Sequence, residues 1–435
     1  MNTTRDAAAA AQPAPSFAEA TETFTKIGLL SFGGPAAQIA LMHRVIVDEK
    51  KWLNEREYLD ALGFCMLLPG PEAMQLATYA GWKLHGLRGG LMAGLLFVVP
   101  GALVVLALSM IYAAFGKLPL VEALFLGVKA AVLVIVIEAL LRVAKRALSK
   151  QEHWIIAALS FVAIFFFGAP FPLIVLAAAA FGFWRSMGTA PTPSTAIDAR
   201  VSAGETLRTV LVWLAIWILP LAAMALALGP NHVLSQMAWF FSKLAVVTFG
   251  GAYAVLAYMG QDVVTHYGWL SAGEMMDGLG LAETTPGPLI LVTEFVGFVA
   301  AFKQGGWLMG IAGALVALWA TFAPCLLWIF AGAPYITWLG TQPRLKGALT
   351  AIMAAVVGVI LNLAVWFALH VLFSTVTLNE VGLLKLWTPT LSSIDWRVVL
   401  LGAVSGVLLL WQHWGIPAVL AVASAIAVAM HVAGL

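Results

Sequence analysis

The residues of this chain best suited to chemistry are glycine and proline breaks in apolar sequence, each accompanied by an isolated charge. Lys26 precedes Phe32-Gly33-Gly34-Pro35, and Pro69-Gly70-Pro71 is followed at once by Glu72. Lys243 precedes Phe249-Gly250-Gly251, and Pro286-Gly287-Pro288 leads to Glu294. Proline lacks an N–H and clashes with the preceding turn, while glycine reaches backbone angles that other residues avoid. Each motif can therefore end one helical piece and begin another, with proline in the new first turn. A helix start presents unsatisfied N–H groups at the positive end of the helix dipole, and an anion is the natural ligand for it. The expected anion-binding set is Lys26, Gly33, Gly34, Pro35, Gly70, Pro71, Lys243, Gly250, Gly251, Gly287 and Pro288. Glu72 has Leu289 as its repeat partner, so it cannot belong to a symmetric anion cradle; it and Glu294 suit a coupling or gating role. A lysine near a segment end can also snorkel to the interface, and Gly/Pro pairs also serve as packing kinks.

The motifs belong to an internal duplication. Residues 24–71 recur without a gap at 241–288, with 18 of 48 positions identical, including Lys26/Lys243, Trp52/Trp269, Glu57/Glu274 and Asp60/Asp277. Ala252 stands in the second copy where the first has Pro35. Duplicated halves that each carry interrupted apolar segments are the pattern of a secondary transporter with its site between the halves. The two matched tryptophans read as interfacial anchors. Glu283, Thr284 and Thr285, just before Pro286, either line a cavity or cap helix ends, and Glu138 lacks a local lysine partner.

Composition sets the solvent: 62% of 435 residues are hydrophobic, 10% are charged, and the mean hydropathy is +0.96. The fold class is an all-α polytopic membrane protein built of two homologous halves in inverted topology, with broken or re-entrant helices. Runs near 89–115, 118–141, 207–229, 307–332 and 347–372 are long enough to cross about 30 Å of hydrocarbon. Residues 1–20 read as a disordered tail, 21–184 as the first repeat, 185–206 as a cytoplasmic linker, 207–229 as a linking span and 230–435 as the second repeat. The odd span inverts the second copy. Basic residues agree, because the loop at 43–57 carries Arg44, Lys50, Lys51 and Arg56 while its partner at 260–274 carries no Lys or Arg. Cytoplasmic loops are the basic ones, so the N-terminus lies inside and the C-terminus outside. The cluster Arg142 to Lys150 falls on the basic side only if 59–82 dips in and returns; a kinked crossing is the alternative. Counting each broken segment once gives about thirteen membrane segments.

Other classes find little support. Cys65 and Cys325 lack metal or disulfide spacing, no hydrolase or P-loop motif occurs, and a net charge of +2 gives no reason for a nucleic-acid partner. We expect no enzyme activity and no cofactor. An embedded enzyme or a scaffold is the reading from another class.

The order F-x-K-x-x-x-x-x-F-G-G-P, then W-L-x-x-x-E-Y-L-D, then L-P-G-P, with a degenerate second copy, resembles the chromate ion transporter family in its long two-domain form. The resemblance spans about 24–184 and 241–433. It implies export of chromate from the bacterial cytoplasm through the inner membrane, coupled to the proton-motive force, by a protein that can form a homodimer. Sulfate or another tetrahedral oxyanion is the alternative cargo, since backbone N–H groups barely separate two tetrahedral dianions.

Overall fold

The computed structural model describes residues 15–188, 202–247, 249, 252–339 and 341–434. Ser16 caps helix α1 (Phe17–Leu30), so the expected N-terminal tail stops short of residue 17; residues 1–14 lie outside the described part. The glycine break then separates α1 from α2 (Gly34–His43), and Gly33 and Gly34 both take left-handed angles, φ +83° and +77°. Pro35 sits in the first turn of α2, as expected of a helix restart. A π-helical turn, Arg44–Glu49, brings the chain back so that Lys50 meets Glu19 at 2.8 Å. This first broken segment is a hairpin whose two ends lie at one face.

The second broken segment does the same. Helix α3 (Glu55–Cys65) starts at a capping box, with Asn54 accepting from the Glu57 N–H and Glu57 from the Asn54 N–H. After Pro69-Gly70-Pro71 the chain continues as α4 (Glu72–Phe115), which folds back on itself at Gly86, φ +59°. Lys83, before that fold, reaches Glu57 at the start of α3, 3.7 Å away, so α3 and the first arm of α4 run antiparallel. The two arms of α4 touch through small residues: a Cβ on Gly81 would strike the Gly89 carbonyl and the Ala93 methyl. From there the second arm of α4, α5 (Pro119–Ala147), α6 (Gln151–Phe167) and α7 (Phe171–Arg185) traverse the bundle in turn.

Helix α8 (Ala203–Leu228) carries the chain to the opposite face, where the plan repeats. Helices α9 (Val233–Val247) and α10 (Ala252–Gln261) form one hairpin, closed by aromatic packing of Phe240 on Tyr258, Tyr267 and Trp269. Helices α11 (Ala272–Thr284) and α12 (Val292–Gly332) form the other. Ser271 and Glu274 make the matching capping box, Lys303 meets Glu274 at 2.7 Å, and Gly306 (φ +72°) reverses the chain as Gly86 does. A three-residue 3-10 turn, Leu289–Leu291, is extra to this half. A short α13 (Ile336–Leu339), α14 (Pro343–Leu372), α15 (Trp396–Gly406) and α16 (Ile416–Val432) complete it. Between α14 and α15 an antiparallel pair, β1 (Val376–Val381) and β2 (Leu384–Pro389), stands outside the bundle.

Among the described residues each half thus contributes two re-entrant hairpins and four traversing helices, with α8 between them. The halves interlock. Helix α5 packs against α15 and α16 and α14 against α6 and α7, with glycines at the contacts: Gly127 on the Ala423 backbone and Gly358 on that of Ala157. The matched Trp269 is 5% exposed and packed on Phe240, Phe241 and Tyr267, while Trp52 leans on Phe24. Trp269 thus holds its hairpin together rather than anchoring a lipid interface, because it is buried among aromatic side chains of its own hairpin.

Single cysteines at Arg56 and Thr265, both exposed, placed in a background lacking Cys65 and Cys325, should react oppositely with an impermeant reagent added to whole cells. Labelling of both or of neither from outside would contradict the inverted arrangement.

Candidate functional site

Backbone at a helix break has no intrahelical partner, and in hydrocarbon each orphaned group costs several kcal/mol. The hairpin tips are where this protein must solve that problem, and at two of the described breaks it does so by joining halves. The Gly287 N–H donates to the Ser31 carbonyl at 2.8 Å. The Gln38 side-chain amide donates to the Gly287 carbonyl at 2.6 Å and to the Ser31 carbonyl at 3.2 Å. Thus the first break of one half is bonded to the second break of the other. Close approach is possible because Gly101 lies against the Pro286 carbonyl, where no Cβ would fit. At the other first-half tip, Gln75 donates to the Pro69 carbonyl at 2.7 Å, and Gly70 (φ +117°) packs against Cys325 of α12.

The two repeated lysines line cavities at opposite faces. Lys243 borders a cavity of about 470 Å³ with Gln261, Asp262, His266, Asn362 and Lys385, under the β-hairpin residues Leu378 and Trp387. Its ammonium lies 5.3 Å from the Tyr258 ring centroid and 5.7 Å from that of Phe240, and no carboxylate is within ion-pair distance among the described residues. Lys26 borders a smaller cavity of about 220 Å³ with Arg44, Glu49 and Lys50. It pairs with Glu22 at 2.8 Å, with 69% of its side chain exposed. Exposed pairs of this kind contribute about 0–1 kcal/mol. Beside this cavity the Glu19 hydrogen bond holds the Lys50 ammonium above its ordinary pKa.

Buried and half-buried acids lie along the hairpins and the helix α5 beside them. Glu294, in the first turn of α12, is 1% exposed and its Oε2 has no hydrogen-bond partner. Glu283 is 5% exposed; its Oε1 accepts from the Tyr253 hydroxyl at 2.8 Å, and its Oε2 is unpartnered. Glu138 pairs with Arg142 one turn along α5. Asp277, the repeat partner of exposed Asp60, is buried between Lys129 (3.6 Å) and the Tyr112 hydroxyl (2.8 Å). Glu72 is half-buried at the first-half tip, within electrostatic reach of Arg146.

The expected set is therefore distributed rather than gathered in one pocket. Gly33, Gly34 and Pro35 adjoin Ser31 at the tip bonded to Gly287 of the other half, which Pro288 follows. Gly70 and Pro71 sit at a separate tip against α12, and the two lysines face opposite sides. Gly250 and Gly251 lie outside the described residues. Gln38, Gln75, Arg142 and Tyr253 were missed by sequence reasoning. Arg142 carried a signal, since Glu138 precedes it by one turn, the spacing of a helical ion pair; Gln38 carried none, because nothing local marks a tether to residue 287.

The sequence model described as chromate transporter matches residues 18–183 and 235–430. A probable chromate transport protein of Synechococcus elongatus is 29% identical over 411 residues, covering 91% of this chain and 96% of that protein. Chromate transport proteins of Cupriavidus metallidurans and Pseudomonas aeruginosa are 31% and 33% identical, over 78% and 82% of this chain and 79% and 82% of theirs. No solved structure matches the chain.

Replacing Gln38 by leucine leaves the Gly287 carbonyl without its donor. The purified variant should lose about 1–3 kcal/mol of stability, read as a lowered thermal midpoint in detergent; an unchanged midpoint would mean that the tips are not joined through this amide. Gly34 has open space where a methyl would go but a left-handed φ, whereas Gly70→Ala would collide with Cys325 and so confuse packing with binding. Gly34→Ala should abolish transport at near-normal abundance, with Gly63→Ala, open and unstrained, as its control.

Proposed function

The chain belongs to the chromate transporter family, and on that premise we propose that it is a secondary transporter exporting chromate from the cytoplasm through the bacterial inner membrane, driven by the proton-motive force. The observation that carries this reading is the pairing of breaks across the halves, Ser31 with Gly287, between two lysine-lined cavities that open to opposite faces. A site between inverted repeats that rock against each other is reached from one side and then the other. The face bearing Arg44, Lys50, Lys51 and Arg56 is cytoplasmic by the basic-loop rule, so the Lys26 cavity opens inside and the Lys243 cavity outside.

Electrical energy sets the direction. A dianion leaving a negative-inside cell gains about 4.6 kcal/mol per 100 mV, at about 2.3 per charge, which favours export unless two or more protons leave with each anion. In this scheme the glycine breaks at 33–34 and 70 present backbone N–H groups to the oxyanion, Lys243 and Lys26 attract it at the two mouths, and Glu72 and Glu294 serve in coupling or gating. Gly287 contributes differently, since its N–H is committed to Ser31; it shapes the site rather than donating to the anion. Sulfate is the second reading, because backbone N–H groups and ammonium groups barely separate two tetrahedral dianions.

Cells making the protein should accumulate less labelled chromate than cells without it, and a protonophore should erase the difference. Lys243→Ala should lower export roughly tenfold, equivalent to about 1.4 kcal/mol, and Lys243→Arg should retain most of it because the charge remains. Lys26→Ala should matter less, as Arg44 and Lys50 border the same cavity. Export by Lys243→Ala at the parent rate would remove the outer cavity from the pathway.

A further inference from the structure

Three ionisable side chains and one tyrosine meet at the tips of the second-half hairpins, and they do not balance. Glu138 and Arg142 of α5 are paired, with side chains 25% and 36% exposed. Tyr253 opens α10 and Glu283 closes α11, so both stand beside the second-half breaks. Among the described residues, the groups that act on Glu283 from the elements around it are Tyr253, Arg142 and Glu138. One guanidinium thus faces two carboxylates. A buried carboxylate left without its own counter-ion is costly, and the group takes up a proton instead. Glu283 is the more deeply buried of the two, and its unpartnered Oε2 has room for that proton.

The surroundings distinguish this cluster from an inert internal ion pair. Thr284, next to Glu283, is exposed, and the Arg142 side chain is 36% exposed. One turn further along α5, Arg146 acts on Glu72 at the first-half tip. The same end of α5 therefore serves breaks of both halves. Its counterpart does not: setting Pro119 opposite Pro343 aligns Ala130-Ala131-Val132 with Ala354-Ala355-Val356 and puts Asn362, Trp366 and His370 of α14 in the places of Glu138, Arg142 and Arg146. The duplication alone did not require these charges, and one half of the molecule lacks them.

We propose that Arg142 is a binding group for the transported oxyanion and that a proton on Glu283 controls its availability. This rests on the reading of the protein as an oxyanion transporter. With Glu283 ionised, the guanidinium stays paired with Glu138 and a second negative charge stands near it, repelling an incoming anion. With Glu283 neutral, it keeps Glu138 alone and turns its remaining N–H groups to the oxyanion, whose geometry the planar fork matches. Where Glu283 is ionised beforehand, each anion bound then brings one proton from water onto it. A dianion that moves with one proton still carries net negative charge, so the membrane potential continues to favour its exit.

The test is equilibrium binding to the purified protein in lipid nanodiscs, by calorimetry with a pH indicator recording proton uptake. Sulfate is the probe across the pH range because it stays a dianion, and chromate is measured at alkaline pH, where it too is a dianion. For the parent protein, one proton should be taken up per anion wherever Glu283 is ionised beforehand, and affinity should fall tenfold per pH unit there. Glu283→Gln should bind without proton uptake, and at alkaline pH more tightly than the parent. Arg142→Gln should bind at least tenfold more weakly, and Arg142→Lys should recover part of the loss. The proposal is overturned if Glu283→Gln keeps the parent's pH slope, or if a monodisperse Arg142→Gln protein binds as the parent does. A parent protein that binds either anion with no proton uptake at any pH sinks this inference alone, whereas one that binds neither at any pH sinks the transporter reading with it.

Discussion

Unwound backbone inside a membrane has to find hydrogen bonds from protein, and most of this architecture follows from where it finds them. The break after α1 is completed by Gly287 and Gln38, and the break after α3 by Gln75. Because the Ser31 carbonyl is satisfied by the opposite half, the halves cannot separate at their tips without exposing polar groups to hydrocarbon, at several kcal/mol each. That cost keeps the breaks adjacent. It also requires glycine where chains cross: Gly101 against Pro286, Gly28 against Leu96 and Gly70 against Cys325. A conformational cycle in such a molecule exchanges one set of backbone partners for another rather than leaving them unmade.

Against this shared frame the two halves diverge at the residues that carry charge and function. Gln38, the tether, corresponds to Val255; Pro35 corresponds to Ala252; exposed Asp60 corresponds to buried Asp277. The lysines at 26 and 243 occupy matched positions, yet one is exposed and paired with Glu22 while the other lies against aromatic rings in a roofed cavity. The roof is the β-hairpin, which brings Lys385 and Trp387 over the cavity. An exact two-fold molecule would treat its two sides alike, so directional behaviour has to reside in differences of this kind.

The sequence by itself determined the class, the duplication and the breaks. Those follow from local chemistry: twenty-residue apolar runs span lipid, Gly-Gly-Pro and Pro-Gly-Pro end helices, and basic loops mark a side. The return of 59–82 was also legible, because the basic cluster at the end of α5 would otherwise fall on the wrong face. The three-dimensional structure decided what repeated polar residues are for. Glu57 and Glu274 look like candidate site carboxylates in a repeat, but each closes a capping box and ties a hairpin foot to Lys83 or Lys303. It also decided which charges share a space. Arg142, Tyr253 and Glu283 come from three helices, two of them on the far side of the linking helix, and no periodicity along the chain encodes their meeting. Helix breaks are properties of a few adjacent residues, whereas a buried charge cluster is set by how separate helices cross, and only packing specifies that.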